Sequence, residues 1–301
     1  MRKLRWIAWS AAALVAAAIL LLPAGRAEEG DIRSIRIGLV RTLFRDTPPS
    51  LVQVLSQPLK ALMQSQTGMT GELSIAGDAF ALSKKLKENK VQLGVFHGFE
   101  FAWARQKNPG LRPLVVVVSH HRQLHAHLIV RKDSSASGCG GLKGKVLAIP
   151  QGSREHCHLY LERRCPGGGV DPKSFFSEIT RPASTEDALD DVIDGTVQAA
   201  IVDRFALDQY QQDKPNRCNR LRVLHQSEMF PTGVVAYQAG ALDEGTLRRF
   251  HDGMIGANKS ERGKELLKMC RITSFEEVPA DYEQMLEDIA KAYPPPPRGE
   301  K

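Results

Sequence analysis

Short apolar runs alternate with amphipathic segments along the first half of the chain. Ile35–Val40 has the pattern of a strand and Leu114–Ser119 is a continuous apolar run, while Leu51–Met63 and Ala79–Asn89 carry apolar residues at helical spacing. This alternation predicts an α/β fold with mostly parallel sheets. The strands predicted in this half are Ile35–Val40, Glu72–Ile75, Val91–Phe96, Leu114–Ser119 and His127–Arg131.

The second half continues the same alternation. Its predicted strands are Val146–Ile149, Ala199–Val202, Leu221–Leu224 and Val234–Tyr237. Its predicted helices include Ser184–Asp194, capped by Ser184 or Thr185, Glu261–Met269 and Tyr282–Ala292. The Pro-rich end, residues 293–301, is predicted to be a disordered tail.

One strand–turn–helix stretch is a candidate for binding an anion. The strand Val146–Ile149 is broken by Pro150, and Ser153 is the predicted N-cap of a helix that continues through Leu161. The first N–H groups of a helix and the positive end of its dipole favour an anion. The alternative is a plain, well-capped turn without a ligand.

The chain begins with the features of a secretory signal peptide. Three of the first five residues are basic, Ile7–Leu22 is almost wholly apolar, and small residues follow at Gly25 and Ala27. We expect cleavage after Ala27, which makes residues 1–27 the signal peptide and places the mature protein in the periplasm. The alternative is an uncleaved membrane anchor, for which the apolar run is slightly short.

Charge and cysteine content narrow the function further. The formal charge of +7 falls to +3 without the four basic residues of the predicted signal peptide, which is too weak and dispersed for a nucleic-acid-binding protein. The five cysteines leave at least one thiol unpaired in a monomer. Cys157 and Cys165 cannot bridge if both lie on one helix, because eight residues span roughly 12 Å.

Five sequence motifs, in this order and spacing, carry a family resemblance. They are HGFEFAWA, LKGKVLAIPQGSREHCHLYLERRCPGGGVDP, STEDALDDVIDGTVQAAIVDRFAL and SEMFPTGVVAY, followed by SFEEVPADYEQM near the C-terminus. From about Ile35 to Tyr282 the chain resembles the periplasmic phosphate/phosphite/phosphonate-binding proteins of ABC importers.

The resemblance implies a two-lobed α/β periplasmic binding protein of the type II-like class. Lobe one would comprise residues 35–121 and 234–292, and lobe two residues 134–220. Two crossing strands, near His127–Arg131 and Leu221–Leu224, would join the lobes. The ligand would lie in the cleft between them, and the clamp would close on it by hinge motion.

The resemblance also places the ligand-binding residues. The family's Ser-Thr-Ser falls on residues 154–156 and its Tyr on Phe101, so several hydroxyl donors are missing here. Asp203 follows a strand and is expected in the cleft, or else caps the next helix. The predicted ligand-binding residues are Arg41, Thr42, His97, Gly98, Phe99, Phe101, Ser153, Arg154, Glu155, His156, Cys157 and Asp203.

Histidines are concentrated in one part of the sequence. Seven of the nine lie between His97 and His158, either by chance or because they form a site. We hypothesise that a protonated His156 replaces the missing hydroxyls by supplying two donors and a charge. An alternative is a metal or metalloid sensor that uses His97, His156 and Cys157. A Cys157 nucleophile activated by a low pKa is a third hypothesis.

The sequence therefore predicts an exported, monomeric solute-binding protein. It would capture a small oxyanion of phosphonate, phosphate or phosphite type and present it to an ABC permease or to a sensor. We expect no reaction, no cofactor, no resident metal and no nucleic-acid partner.

Overall fold

The computed structural model describes residues 34–45, 49–167 and 169–296. The predicted signal peptide and residues 297–301 of the predicted tail lie outside the described residues. Within those three ranges, no helix is both long enough and apolar enough to span a bilayer.

The described part of the chain alternates strands and helices. The strands are β1 (Ile35–Val40), β2 (Gly71–Gly77), β3 (Leu93–Phe96), β4 (Leu111–Val118), β5 (Ala126–Arg131), β6 (Val146–Ala148), β7 (Glu178–Thr180), β8 (Ala199–Asp203), β9 (Leu221–Gln226), β10 (Gly233–Gln238) and β11 (Ser274–Glu276). The helices are α1 (Pro49–Thr67), α2 (Ala79–Lys87), α3 (Gly98–Lys107), α4 (Glu155–Arg163), α5 (Pro172–Phe175), α6 (Thr185–Asp194), α7 (Arg204–Asp213), α8 (Pro215–Cys218), α9 (Glu244–Ile255), α10 (Glu261–Met269) and α11 (Tyr282–Ala292).

Two sheets form the centres of two lobes. Sheet one, of lobe one, has the strand order β11-β4-β10-β3-β1-β2, and sheet two, of lobe two, has the order β7-β6-β8-β5-β9. β1 pairs in parallel with β2 and β3, and β6 pairs in parallel with β7 and β8. The remaining strand pairs, which involve β10, β11, β5 and β9, are antiparallel. The sheets are therefore mixed, and the prediction of mostly parallel sheets is wrong.

The chain passes between the two sheets twice within the described ranges. The connections are residues 119–125, between β4 and β5, and residues 227–232, between β9 and β10. They are joined by two backbone hydrogen bonds between Leu124 and Phe230, of 3.4 and 2.9 Å. The predicted crossing strands, His127–Arg131 and Leu221–Leu224, instead pair with each other inside sheet two. The first crossing segment, residues 119–125, therefore precedes its predicted strand, and the second, residues 227–232, follows its predicted strand.

Each sheet buries apolar side chains on both faces. In β4, Val115 and Val116 are fully buried in different clusters on opposite faces of sheet one. In β5 of sheet two, Leu128 and Ile129 are likewise buried in different clusters on opposite faces of the sheet. Leu159 of α4, in lobe two, packs in the core cluster of lobe one. The lobes are consequently in apolar contact in this structure.

Helix boundaries follow local capping chemistry. The Ser184 side chain accepts a hydrogen bond from the Asp187 backbone N–H, which confirms the predicted cap of α6. The same helix ends at Gly195, whose φ of 81° is a left-handed conformation that glycine adopts without strain. These two residues explain why α6 was predicted almost to its exact bounds.

One disulfide lies in lobe two. Cys139 and Cys165 are bonded, with Cα atoms 5.7 Å apart, and tie the segment before β6 to the end of α4. Cys157 is not bridged to Cys165, but α4 ends at Arg163, so the helix-spacing argument does not apply to this pair. Cys157, Cys218 and Cys270 are free thiols. A disulfide is consistent with an oxidising compartment.

The chain beyond α11 is anchored by Tyr293. This residue, assigned by the sequence to the disordered tail, is fully buried. Its backbone carbonyl accepts a 2.7 Å hydrogen bond from Trp103, and its hydroxyl donates a 2.7 Å bond to Glu228. The predicted start of the tail is therefore wrong at this residue.

Candidate functional site

The turn between β6 and α4 brings a helix N-terminus to the cleft. Gly152 adopts a φ of 68°, a conformation that permits the sharp reversal after Pro150. The N-cap is Arg154, without a side-chain capping bond, and the helix begins at Glu155. The predicted cap, Ser153, is wrong by one residue. The end of α4 thus offers its first N–H groups without a capping hydroxyl.

Arg154, in lobe two, contacts the first crossing segment, residues 119–125. Its guanidinium lies 3.6 Å from a carboxylate oxygen of Asp203 and 3.4 Å from the backbone oxygen of Ser119. Asp203 also caps α7 by accepting a 3.1 Å hydrogen bond from the Ala206 N–H. The capping alternative for Asp203 is confirmed, and the same carboxylate also lies in the cleft.

A small cavity opens beside Arg154, between the first crossing segment and the start of α7. Its volume of about 10 Å³ is close to what one water molecule needs, so the cavity has to widen to admit a larger solute. Most of its polar lining is basic or imidazole. The cavity is lined by Ser119, His121, Gln123, Leu124, His125, Arg154, His156, Asp203, Arg204 and Phe205.

His156 lies in this cavity as a neutral ring. It is 3% exposed, and its ring packs 5.4 Å from that of Phe230. Burial, with the nearby positive charge of Arg154, lowers the pKa of His156 to about 3. This lowered pKa disfavours the protonated His156 that the sequence-based hypothesis places against the ligand. The sequence did not reveal that this position would be desolvated.

Glu155, the first residue of α4, is paired with lobe one. Its side chain is 7% exposed, and both carboxylate oxygens accept hydrogen bonds from the guanidinium of Arg45. Arg45 also lies 3.8 Å from Glu162, farther along the same helix. Arg45 comes from the end of the short 3-10 helix after β1, so this ion pair joins the two lobes directly.

Glu100 is a buried acid in the cleft region that the sequence analysis missed. It lies in the first turn of α3, and the Thr42 hydroxyl is 2.9 Å from both of its carboxyl oxygens. Burial raises the pKa of Glu100 to about 8, the Thr42 bond opposes this rise, and the charge of Glu155 adds to it. At neutral pH Glu100 is mostly protonated and can itself donate a hydrogen bond.

His97 is the N-cap residue of α3 and stacks on Phe99 at a ring distance of 5.7 Å. Burial of its ring lowers its pKa to about 4, although a hydrogen bond to the Thr42 backbone opposes this. The next residue, Gly98, is packed against the second crossing segment, residues 227–232, at Pro231. Thr42, His97 and Gly98 thus lie together where β1 and β3, two neighbouring strands of sheet one, end.

Three other predicted site residues lie elsewhere. Phe101 is fully buried in the core of lobe one, 5.7 Å from Phe96, and Phe99 packs edge-on to Phe230 in the same core. Arg41 is exposed on the 3-10 helix. Of the predicted site residues, Arg154, His156 and Asp203 line the cavity beside α7. The side chains of Phe99, Phe101 and Arg41 lie outside that lining.

Cys157 faces away from the cleft. It is fully buried in the core of lobe two, where burial raises its thiol pKa well above the usual value of 9.0. The low-pKa nucleophile hypothesis is wrong for this environment. The metal hypothesis also lacks a ligand set, since no group of three or more His, Cys, Asp or Glu side chains within the described ranges could hold an ion.

We expect Cys157 to resist alkylation in the folded protein. Because Cys218 and Cys270 are partly exposed, they should react with iodoacetamide first, and Cys157 should react only after denaturation. Mass spectrometry of peptides from native and urea-treated protein measures this order. Labelling of Cys157 as fast as Cys218 under native conditions would contradict its burial.

Two α/β lobes that enclose a cleft and are joined by two crossing segments define a two-lobed binding protein of the type II-like class. A binding protein component of an ABC phosphonate transporter from Pseudomonas aeruginosa has this fold, with 16% identity, a TM-score of 0.55 and coverage of 86% of each chain. XAC2383 from Xanthomonas citri, bound to chloride, has 16% identity and a TM-score of 0.57, over 86% of this chain and 97% of that one.

PhnD1 from Prochlorococcus marinus, in complex with methylphosphonate, gives 14% identity and a TM-score of 0.55, over 87% of this chain and 98% of that one. No curated protein sequence matches the chain. The family model described as "ABC transporter, phosphonate, periplasmic substrate-binding protein" matches residues 43–282. The chain belongs to this family of periplasmic substrate-binding proteins, whose members bind a small molecule for a membrane permease.

Proposed function

We propose that this protein captures a small oxyanion of phosphonate, phosphate or phosphite type in the cleft and delivers it, as a monomer, to an ABC importer. The single observation that supports this ligand class most is Arg154. It stands at the N-terminus of α4, lines the cavity and contacts both Ser119 of the first crossing segment and Asp203 of lobe two. An arginine at a helix N-terminus suits a tetrahedral oxyanion.

The binding site in this proposal is built around the cavity. Arg154 and Arg204 supply positive charge, Ser119 and the first turn of α4 supply polar groups, and His156 forms the buried wall. Of the residues predicted from the sequence, Arg154, His156 and Asp203 remain proposed ligand contacts. Thr42, His97 and Glu155 are proposed to shape the adjacent part of the cleft, and Ser153 precedes the helix.

Replacing Arg154 tests the function directly. In isothermal titration calorimetry with methylphosphonate, phosphite and phosphate, the wild type should bind at least one of them. Arg154→Gln should weaken that binding by about ten- to a hundredfold, because a charge-assisted hydrogen bond contributes about 1.5–3 kcal/mol. The matched control is Arg163→Gln, at the other end of the same helix. Equal affinity of wild type and Arg154→Gln would exclude Arg154 from the site.

A further inference from the structure

We propose that the cleft binds its oxyanion as the protonated monoanion, whose acid O–H is donated to Nε2 of His156. This inference rests on the proposed function and adds the protonation state that the site selects. It also gives the neutral His156 a role that differs from the charge-supplying role expected from the sequence.

The hydrogen bonds of His156 define which ring nitrogen can receive a proton. The Nε2 atom is buried and finds no hydrogen-bond partner among the residues that the structure describes. The ring also makes a hydrogen bond to the backbone of His125, and this bond raises the pKa of His156. A backbone group that raises the pKa of a histidine is a carbonyl oxygen, which accepts from a ring N–H. Because Nε2 is unpaired, Nδ1 makes this bond and carries the hydrogen. In a neutral imidazole the other nitrogen is then an acceptor.

A buried acceptor that lines a cavity favours a ligand that donates. His156 is 3% exposed and lines the cavity beside Arg154, so its Nε2 has little access to bulk solvent. A fully deprotonated oxyanion would place an oxygen lone pair against the Nε2 lone pair. A ligand with one O–H would satisfy Nε2 and still present charged oxygens to Arg154.

The charges around the cavity also favour a single negative charge on the ligand. Two guanidinium groups, those of Arg154 and Arg204, line the cavity together with the carboxylate of Asp203. Arg204 also lies 3.5 Å from Asp208. At the start of α4 the Glu155 carboxylate is paired with Arg45, so these two residues together add no net charge. The positive charge left for a ligand is no more than about one, which matches a monoanion better than a dianion.

The test compares two ligands that differ in the acid proton. Methylphosphonate at about pH 6 retains an O–H in much of the sample, because phosphate-like groups lose the second proton near this pH. Its O-methyl ester carries one negative charge and no acid proton. By calorimetry, the wild type should bind the ester about ten- to a hundredfold more weakly, because the ester leaves the buried Nε2 unsatisfied.

Variants of His156 separate the missing proton from the added bulk of the ester. His156→Phe keeps a flat ring beside Phe230 but removes the acceptor. Its affinities for methylphosphonate and for the ester should therefore differ by no more than about threefold. His156→Gln places an amide oxygen there and should retain the preference. The matched control, His158→Phe, makes the same change two residues along α4, outside the cavity lining, and should keep the wild-type ratio. Thermal unfolding verifies that each variant is folded.

The possible outcomes are distinct. Equal wild-type affinities for methylphosphonate and its ester would overturn the proposal. A wild-type preference that persists unchanged in folded His156→Phe would also overturn it, because the discrimination would then be steric. If folded wild type binds none of methylphosphonate, phosphite and phosphate, the proposed oxyanion function itself is refuted, and the inference falls with it.

Discussion

Arg45→Met is expected to lower the free energy of unfolding by about 1–3 kcal/mol. The substitution removes the guanidinium that pairs with both carboxylate oxygens of Glu155, which is 7% exposed and stays buried in the variant. Breaking a fully buried pair costs about 3–5 kcal/mol, but Arg45 itself is 37% exposed, so solvent reduces the loss. Urea unfolding followed by circular dichroism measures the change.

A double-mutant cycle isolates this ion pair from other effects of the substitution. Glu155→Gln alone removes the buried charge, and Arg45→Met combined with Glu155→Gln should be more stable than the sum of the two single losses predicts. Arg41→Met is the matched control, since Arg41 lies exposed on the same 3-10 helix. Strictly additive losses in the cycle would mean that the two side chains do not stabilise the contact between the lobes.

Elements with strong periodicity and local caps could be predicted from the sequence. The bounds of β1, α10 and α11 match their predictions residue for residue. In α10 the helix starts after Ser260, whose side chain accepts a hydrogen bond from the Gly263 N–H. Such signals lie within a few residues of the boundary, so a single sequence contains them.

Features that depend on distant pairing could not be predicted. The short strand β11 exists because Ser274 pairs with Val118, more than 150 residues earlier in the chain. The strand β5 carries the apolar pattern of any buried strand, and the pattern does not specify that its neighbours are β8 and β9. The placement of the crossing strands and the mixed order of the sheets therefore lay beyond local reasoning.

The site was predicted where the signal was a local turn and missed where it depended on burial. The break at Pro150 indicated the helix N-terminus at which Arg154 and His156 lie. Glu100 stands between two phenylalanines in an apolar stretch, and only the fold shows that its carboxyl meets Thr42. The same limit explains why the lowered pKa of His156 could not be predicted, because desolvation is set by the packing of residues such as Phe230.

Gly98→Ala is expected to destabilise the protein by about 1–3 kcal/mol, near the upper end of that range. A Cβ at this position would lie 2.4 Å from the Pro231 carbonyl oxygen and 2.5 Å from that of Thr232. Both atoms belong to the backbone of the second crossing segment, so relief requires movement of α3 or of the segment itself. Urea unfolding gives the loss in stability, and calorimetry with methylphosphonate shows whether the cleft is disturbed as well.

The sign of this effect is informative because helix propensity acts in the opposite direction. Alanine favours a helix over glycine by about 1 kcal/mol, so a net loss for Gly98→Ala means that the clash outweighs this gain. The matched control is Gly138→Ala, where an added Cβ meets nothing within 4 Å and φ is −179°. The control should change stability by less than about 0.5 kcal/mol. If both variants behave alike, Gly98 is not required for the close approach of α3 to the crossing segment.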